Sequence, residues 1–199
     1  MISKSEKTTK YIIKTVAPIF NRKGYAATTM SDLTAATGLT KGAIYGNFKN
    51  KEELAIKSFN FSVNQVLKSI STHQNKNKLP LQKLYLITDF YKNYYDFSKK
   101  IGGCPILNTG VNSKNQNNKL HHEVMLIIDK TQLNIAKLID HGKELGYINK
   151  NINSINFARR LYSHIQGAVF MSYAMNDKNY LYVAVEEMNY IIKNELEKA

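Results

Sequence analysis

The sequence lacks the features on which disulfide-linked, zinc-bound and membrane-spanning proteins depend. It has one cysteine in 199 residues, Cys104, which excludes an intrachain disulfide and a multi-cysteine zinc site. Its apolar run "VMLII" at residues 124–128 is far shorter than the roughly 20 residues that a membrane-spanning helix needs. The N-terminus, "MISKSEKTTK", lacks the apolar run of a secretory signal. We therefore expect a soluble, cytoplasmic protein with no membrane partner.

Acidic residues are scarce relative to basic ones. The chain has 15 Asp and Glu against 28 Lys and Arg, which gives a formal net charge of +13 and a pI near 9.6. This excess exceeds what solubility requires, so it indicates a polyanionic partner, either nucleic acid or an anionic membrane surface. Charge alone does not choose between them.

The hydropathy pattern predicts an all-α protein. Apolar residues recur at three- and four-residue spacing, and no period-two run is bounded by hairpin turns. Pro18 cannot donate to the carbonyl of Lys14, so we expect a kink or an early break in the first helix, which Gly24 closes. About nine helices are predicted, at residues 5–23, 30–37, 41–48, 51–74, 81–100, 105–113, 119–145, 152–176 and 180–198.

The first three helices have the order and the turn of a helix-turn-helix, whose second short helix enters the DNA major groove. At about 100° per residue, Ile44 and Phe48 share one face of the third helix and face the core. Gly42 and Gly46 lie on the opposite face. We therefore predict a DNA-binding domain at residues 1–50 and a helical regulatory domain at residues 51–199.

The exposed face of the third helix suits contact with DNA. A smooth backbone strip at Gly42 and Gly46 is bordered by Lys41 and Tyr45, which suit phosphate, and by Ala43 and Asn47, which suit base edges. The predicted helix N-termini add further phosphate-binding candidates, namely Thr28, Thr29, Thr40 and Lys51. An alternative stays open at this stage, because the two glycines would also relieve crowding against a neighbouring helix.

Residues 8–60 resemble the DNA-binding domain of the TetR (tetracycline repressor-type) family of bacterial transcription regulators. The resemblance rests on "IIKTVAPIFNRKGYAATTMSDLTAATGLTKGAIYGNFKNKEEL" at residues 12–54. It implies that family DNA contacts fall on Thr40, Lys41, Gly42, Tyr45, Asn47 and Lys51, with Thr28 or Thr29 holding a phosphate. Gly46 and Asn47 depart from the commoner pattern, which has a larger residue and a histidine there. Base reading is therefore expected to shift toward Asn47, Ala43 and Lys41.

The resemblance also implies a C-terminal domain that forms a homodimer and often encloses a small-molecule effector. The last two helices are the natural dimer elements, although the same residues would equally suit the core of one chain. The predicted dimer residues are Ile165, Val169, Tyr182, Val185, Met188 and Ile192. The predicted pocket residues are Tyr85, Phe90, Tyr94, Cys104, Asn108, Met125, Tyr162 and Gln166, with further aromatic candidates at Tyr91, Tyr95 and Phe97.

The sequence gives little support for metal, cofactor or enzyme chemistry. His121 and His122 point about 100° apart on a helix, so they do not form a metal-ligand pair. No nucleophile elbow, phosphate loop or dinucleotide fingerprint is present. Cys104 fits either a thiol sensor or, more commonly, a buried inert cysteine. We expect no metal, no cofactor and no catalytic residues.

The function predicted from the sequence is a ligand-responsive transcriptional repressor that binds a palindromic double-stranded DNA operator as a homodimer. Two other classes stay open. The first is a basic helical protein that binds anionic membrane or RNA without specificity. The second is a small-molecule-binding helical protein whose helix-turn-helix is vestigial.

Overall fold

The computed structural model of the chain describes residues 3–198. Within that range it is helical, and no strand forms beyond one antiparallel bridge between Ile148 and Glu197. Ten α-helices and one π-helical turn make up the fold: α1 Lys4–Ala27, α2 Met30–Thr37, α3 Lys41–Tyr45, α4 Lys51–Gln74, α5 Pro80–Lys92, α6 Tyr94–Lys99, α7 Pro105–Ser113, α8 Asn118–Glu144, α9 Ser154–Ala174, α10 Asn179–Ile191 and the turn Ile192–Leu196. The all-α fold class is confirmed.

The helix count in this range exceeds the predicted nine because the segment at residues 81–100 forms two helices. Asn93 separates α5 from α6 with φ −104° and ψ 6°, outside the helical region. Its backbone N–H donates to the carbonyls of Phe90 and Tyr91 instead of continuing the four-residue ladder. The predicted break at Pro18 does not occur, since α1 continues through it. The non-helical backbone angles within α1 lie at Gly24, where φ is 78°.

The chain forms two compact units. The first comprises the chain up to Val66 together with Ser98–Leu126, and the second comprises Leu67–Phe97 together with the chain from Ile127 onward. The predicted functional division at residue 50 stays a prediction.

The first unit has a core that fixes the helix-turn-helix. Ile12, Val16 and Phe20 of α1 are buried together with Leu33 of α2 and Ile44 of α3. Phe48, Leu54 and Ala55 complete the same cluster. Burial of one such large apolar side chain contributes about 1.5–3 kcal/mol. The short helix α3 is therefore held by packing at Ile44, since five residues are too few to form a stable helix alone.

In the second unit, α10 packs against α9 and α5. Its core includes fully buried aliphatic residues from four helices. They are Leu84, Ile139, Leu161, Val169, Leu181 and Met188.

Candidate nucleic-acid interface

The start of α2 is fixed by a capping box. Thr29 Oγ1 accepts a hydrogen bond from the Asp32 N–H at 3.1 Å, and the Thr29 N–H donates to Asp32 Oδ2 at 2.9 Å. Lys23 Nζ lies 2.7 Å from Asp32 Oδ1. The Lys23 ammonium, followed by the two Thr29 donors, lowers the pKa of Asp32 from 3.8 to about 2. The carboxylate is therefore ionised wherever the protein functions near neutral pH.

A glycine turn joins α2 to the recognition helix α3. Gly38 has φ 66°, and its N–H donates to the Thr34 carbonyl at 2.9 Å. Thr40 then caps α3, with its Oγ1 accepting from the Ala43 N–H at 3.1 Å. Both ends of the turn are thus satisfied locally, which sets the direction in which α3 leaves α2.

The helix α3 ends at Tyr45, three residues earlier than predicted. The Asn47 N–H donates to the Ile44 carbonyl at 3.0 Å, which is a three-residue step. The carbonyl of Ala43, the normal four-residue acceptor for that N–H, instead accepts from Asn47 Nδ2 at 2.9 Å. The side chain of Asn47 therefore replaces the backbone donor that would have continued the helix.

The exposed face of α3 is bare at both predicted positions. Gly42 and Gly46 are exposed, while Ile44 and Phe48 are buried. A Cβ built on Gly42 would meet nothing closer than Thr40 Oγ1 at 3.9 Å, and one on Gly46 nothing closer than the Gly42 carbonyl at 3.4 Å. Packing within the described chain therefore does not require glycine at either position. Relief of crowding against a neighbouring helix does not account for them.

Two cations border this face, each close to an aromatic ring. Lys41 is exposed, with its Nζ 6.0 Å from the centroid of the Tyr45 ring. Lys51 Nζ lies 4.6 Å from the centroid of Tyr25. Partial burial lowers the pKa of Lys51, so an anion placed beside it would favour the charged form. Lys49, which the sequence reasoning did not single out, is exposed on the neighbouring turn.

Asn47 is already engaged by groups of its own chain. Besides its bond to the Ala43 carbonyl, its Oδ1 accepts from Thr9 Oγ1 at 2.9 Å. These bonds connect the end of α3 to α1. Sequence reasoning missed Thr9 because it lies 38 positions away and its own neighbourhood carries no motif. Asn47 can reach a base edge only by giving up these partners.

The two threonines proposed for phosphate contact differ in exposure. Thr28 is fully buried, and its hydroxyl donates to the Gly24 carbonyl at 2.7 Å. Thr29, Thr40 and Ala43 are exposed. Because a buried hydroxyl cannot reach a phosphate, Thr29 is the threonine at this helix start that is available to DNA.

Positive charge is concentrated in the unit that contains α3. That unit carries 14 Lys and Arg against 5 Asp and Glu, whereas the second unit carries 14 against 10. The formal charges are therefore +9 and +4 of the total +13. This asymmetry matches an electrostatic footprint for a polyanion on the helix-turn-helix unit.

The second unit contains a cavity of about 460 Å³, which is within the size range of small-molecule sites. Of the eight residues predicted to line a pocket, Tyr162 lines this cavity, and so does Tyr91 among the further aromatic candidates. Cys104, Asn108 and Met125 belong to the other unit, so the eight are not brought together. The residues that line the cavity are Leu67, Ile70, Ser71, Gln74, Asn75, Lys83, Ile87, Tyr91, Thr131, Asn134, Ile135, Leu138, Tyr162 and Ile165.

Most residues predicted for a dimer interface lie in the core of one chain instead. Five are at most 2% exposed, so they are not available to a partner: Ile165, Val169, Val185, Met188 and Ile192. Tyr182 lies at the surface. The exposed apolar side chains of α9 and α10 include Phe170 at 52%, Val183 at 58% and Tyr190 at 70%. Hydropathy spacing identified these two helices as apolar but did not separate the inner face from the outer one.

Comparison with known proteins decides the family. The family model described as "Bacterial regulatory proteins, tetR family" matches residues 12–57. The model described as "Tetracyclin repressor-like, C-terminal domain" matches residues 80–188, which is more than half of the chain. The chain belongs to the TetR family. The resemblance drawn from the sequence is confirmed, and the chain is a DNA-binding transcriptional regulator.

Individual TetR-family proteins are similar over nearly the whole chain. A TetR-family transcriptional regulator of Cytophaga hutchinsonii has a crystal structure that matches with a TM-score of 0.92 and 28% identity, covering 100% of both chains. The uncharacterized HTH-type transcriptional regulator YxaF of Bacillus subtilis is 24% identical, covering 97% of this chain and 98% of its own. The negative regulator of the biofilm operon icaADBC, IcaR of Staphylococcus epidermidis, is 26% identical over 63% of this chain and 72% of its own.

Family membership also bears on the remaining expectations. TetR-family proteins are transcriptional regulators and not enzymes, and they bind DNA operators and small-molecule effectors, usually as dimers. Among residues 3–198, no group of three or more His, Cys, Asp or Glu side chains is placed to hold a metal. In the same range no helix is long and apolar enough to cross a membrane. Cys104 is 1% exposed.

Proposed function

We propose that this TetR-family protein is a ligand-responsive repressor that binds a palindromic operator in the bacterial cytoplasm as a homodimer. The observation that carries the proposal is the exposed backbone strip at Gly42 and Gly46, which no packing within the described chain requires. A backbone without side chains can approach the floor of a major groove. The negative regulation described for IcaR supports repression.

We divide the contacts of α3 between phosphate and bases. Lys41, Lys51 and Thr29 are placed for phosphate, as are Thr40 and Tyr45, since all five lie at the rim of the bare strip or at a helix start. Base contact falls to the strip itself and to the exposed Ala43. Asn47 we assign to positioning, because its amide joins α3 to α1 through Thr9.

A homodimer accounts for the exposed apolar face of α9 and α10. Gly167 and Phe170 of α9 are exposed, as are Val183 and Tyr190 of α10, which are seven residues apart and share a helix face. A groove of about 500 Å³ lies along these helices and is lined by Gly167 and Val183. Exposed apolar surface of this kind marks an interface. A two-fold axis here would present one α3 to each half of a palindromic site.

The 460 Å³ cavity of the second unit is the effector site in this proposal. Its walls come from α4, α5, α8 and α9, so a ligand would touch four helices at once. A ligand that binds the DNA-free conformation more tightly than the DNA-bound one must lower DNA affinity by the same coupling.

A selection of duplexes from a random pool tests the DNA-binding proposal. We expect enrichment of an inverted repeat whose half-sites are separated by about one helical turn. Binding to that site should weaken steeply as salt rises, because phosphate contacts release counterions. A pool that showed no enriched sequence, with RNA or anionic vesicles bound as tightly as duplex DNA, would overturn the proposal in favour of a nonspecific polyanion binder.

A further inference from the structure

The 460 Å³ cavity of the second unit has an apolar floor. Its buried residues include Ile87, Ile135 and Ile165, one from each of α5, α8 and α9. The aromatic rings of Tyr91 and Tyr162, which are also buried, complete this part of the lining. A ligand that fills the cavity therefore needs an apolar body, because unpaired polar groups placed against such a floor would cost free energy.

The lining carries charge of one sign. Lys83 is its one charged side chain, and Asp, Glu, Arg and His are absent from the lining among the described residues. Lys83 is half-buried, and within residues 3–198 its ammonium has no ion-pair or hydrogen-bond partner. A cation that borders an apolar cavity without a counterion gains from an anion placed there, because the low polarity strengthens the attraction.

Polar and apolar lining residues are segregated along the cavity. The exposed Ser71 and Asn75 and the half-buried Gln74 lie at the carboxyl end of α4, and Lys83 lies in the first turns of α5. Only residues 75–79 separate the two helices, so the four side chains border the same end of this helical hairpin. These side chains supply an ammonium, two amides and a hydroxyl, all of which donate to an anion.

We propose that the effector is an anionic amphiphile, namely an aliphatic chain that ends in a single carboxylate. The carboxylate binds Lys83 at the polar end, and the chain lies on the isoleucine and tyrosine floor. This assignment rests on the proposed use of the cavity as the effector site. It specifies the charge and the shape of the ligand, which the family does not.

Calorimetric titration with three matched probes tests the charge assignment. Decanoate, decanol and decylammonium share a ten-carbon chain and differ in the charge of the head group. We expect decanoate to bind the full-length protein about tenfold or more tightly than decanol, and decylammonium to bind weakest. Acetate, which has the charge without the chain, should show no saturable binding.

Variants of the cavity identify where the probe binds. Lys83→Met should weaken decanoate about tenfold and leave decanol unchanged, and Lys83→Glu should reverse the order of decanoate and decylammonium. Lys68→Met is the matched control, because Lys68 is an exposed lysine of α4 outside the lining. Ser71→Trp at the polar end should obstruct all three probes. Thermal unfolding of each variant verifies that the fold is intact.

The outcomes separate this inference from the function on which it rests. Decanol or decylammonium bound as tightly as decanoate, with sensitivity to Ser71→Trp but not to Lys83→Met, would overturn the carboxylate assignment and keep the cavity as a ligand site. Binding of no probe, or binding insensitive to Ser71→Trp, would count against the cavity itself. Equal loss in Lys83→Met and Lys68→Met would show a response to overall charge alone.

Discussion

The bare strip on α3 predicts that one substitution will stabilise the protein and weaken its function. In Gly42→Ala the new Cβ meets nothing closer than 3.9 Å, and position 42 is within a right-handed helix. Alanine is therefore accommodated without strain. Because alanine has less conformational freedom than glycine in the unfolded chain, we expect the free energy of unfolding to rise by about 0.4–1 kcal/mol.

The same methyl group should hold the recognition helix away from DNA. If the backbone of α3 lies against the base edges, a side chain at position 42 separates the two surfaces and lengthens the neighbouring contacts. Loss of one contact of about 1.4 kcal/mol corresponds to a tenfold weaker complex. We expect Gly42→Ala to weaken binding to the selected operator by about tenfold or more.

Gly38→Ala is the matched control, because it places the same methyl group on a different backbone conformation. Gly38 has φ 66°, and a Cβ there would meet nothing within 4 Å. The left-handed conformation alone costs an alanine about 1–2 kcal/mol. Gly38→Ala should therefore lower the free energy of unfolding, whereas Gly42→Ala raises it.

Urea unfolding and fluorescence anisotropy of labelled operator at one fixed salt concentration measure the two effects separately. Operator affinity should be compared under conditions where both variants are fully folded. The reasoning fails if Gly42→Ala binds the operator as tightly as the parent protein. It also fails if Gly42→Ala is less stable, since the strip would then be required for packing.

Three further substitutions test the rest of the site. Thr9→Val removes the hydroxyl that holds Asn47; if Asn47 positions α3, this variant and Asn47→Ala should both weaken operator binding without altering the selected sequence, and a relaxed base position in Asn47→Ala alone would show that Asn47 reads a base. Val183→Glu should yield a folded monomer by light scattering and lose operator affinity, whereas Val111→Glu, at a valine of α7 that is 73% exposed, should leave the dimer intact. Ionised Asp32, with its pKa of about 2, stabilises the protein above pH 4, and this contribution should disappear as pH falls from about 4 to 2; carbon-13 NMR of the carboxyl group should show this pKa rising in Lys23→Met.

The sequence predicts the helices and their buried faces well because hydropathy period is a local signal. Ile12, Val16 and Leu33 were placed in the core from spacing alone, and all three are fully buried. Prediction failed where a distant or side-chain donor competes with the backbone. The end of α3 depends on Asn47, whose partner Thr9 lies in another helix. Nothing in the neighbourhood of either residue announces that bond.

The cavity could not be predicted because its lining is assembled from four helices. Aromatic side chains in α5 looked like pocket residues, yet Tyr85, Phe90 and Tyr94 are not among those that line it. The lining is mostly aliphatic and amide side chains, which are common everywhere in helical proteins. Lys83 carries no signal in one dimension, since its role follows from the absence of an acidic neighbour in space.

The helix α10 shows what hydropathy period contains and what it omits. Its segment "YLYVAV" at residues 180–185 is apolar or aromatic on every face, and a helix that is apolar all round is normally buried all round. In the single chain Leu181, Val185 and Met188 are buried, while Val183 and Tyr190 remain exposed. One chain therefore accounts for half of the pattern. A second copy that covers Val183 and Tyr190 would account for the other half, and this is the physical reason to place the dimer on the outer face of α10.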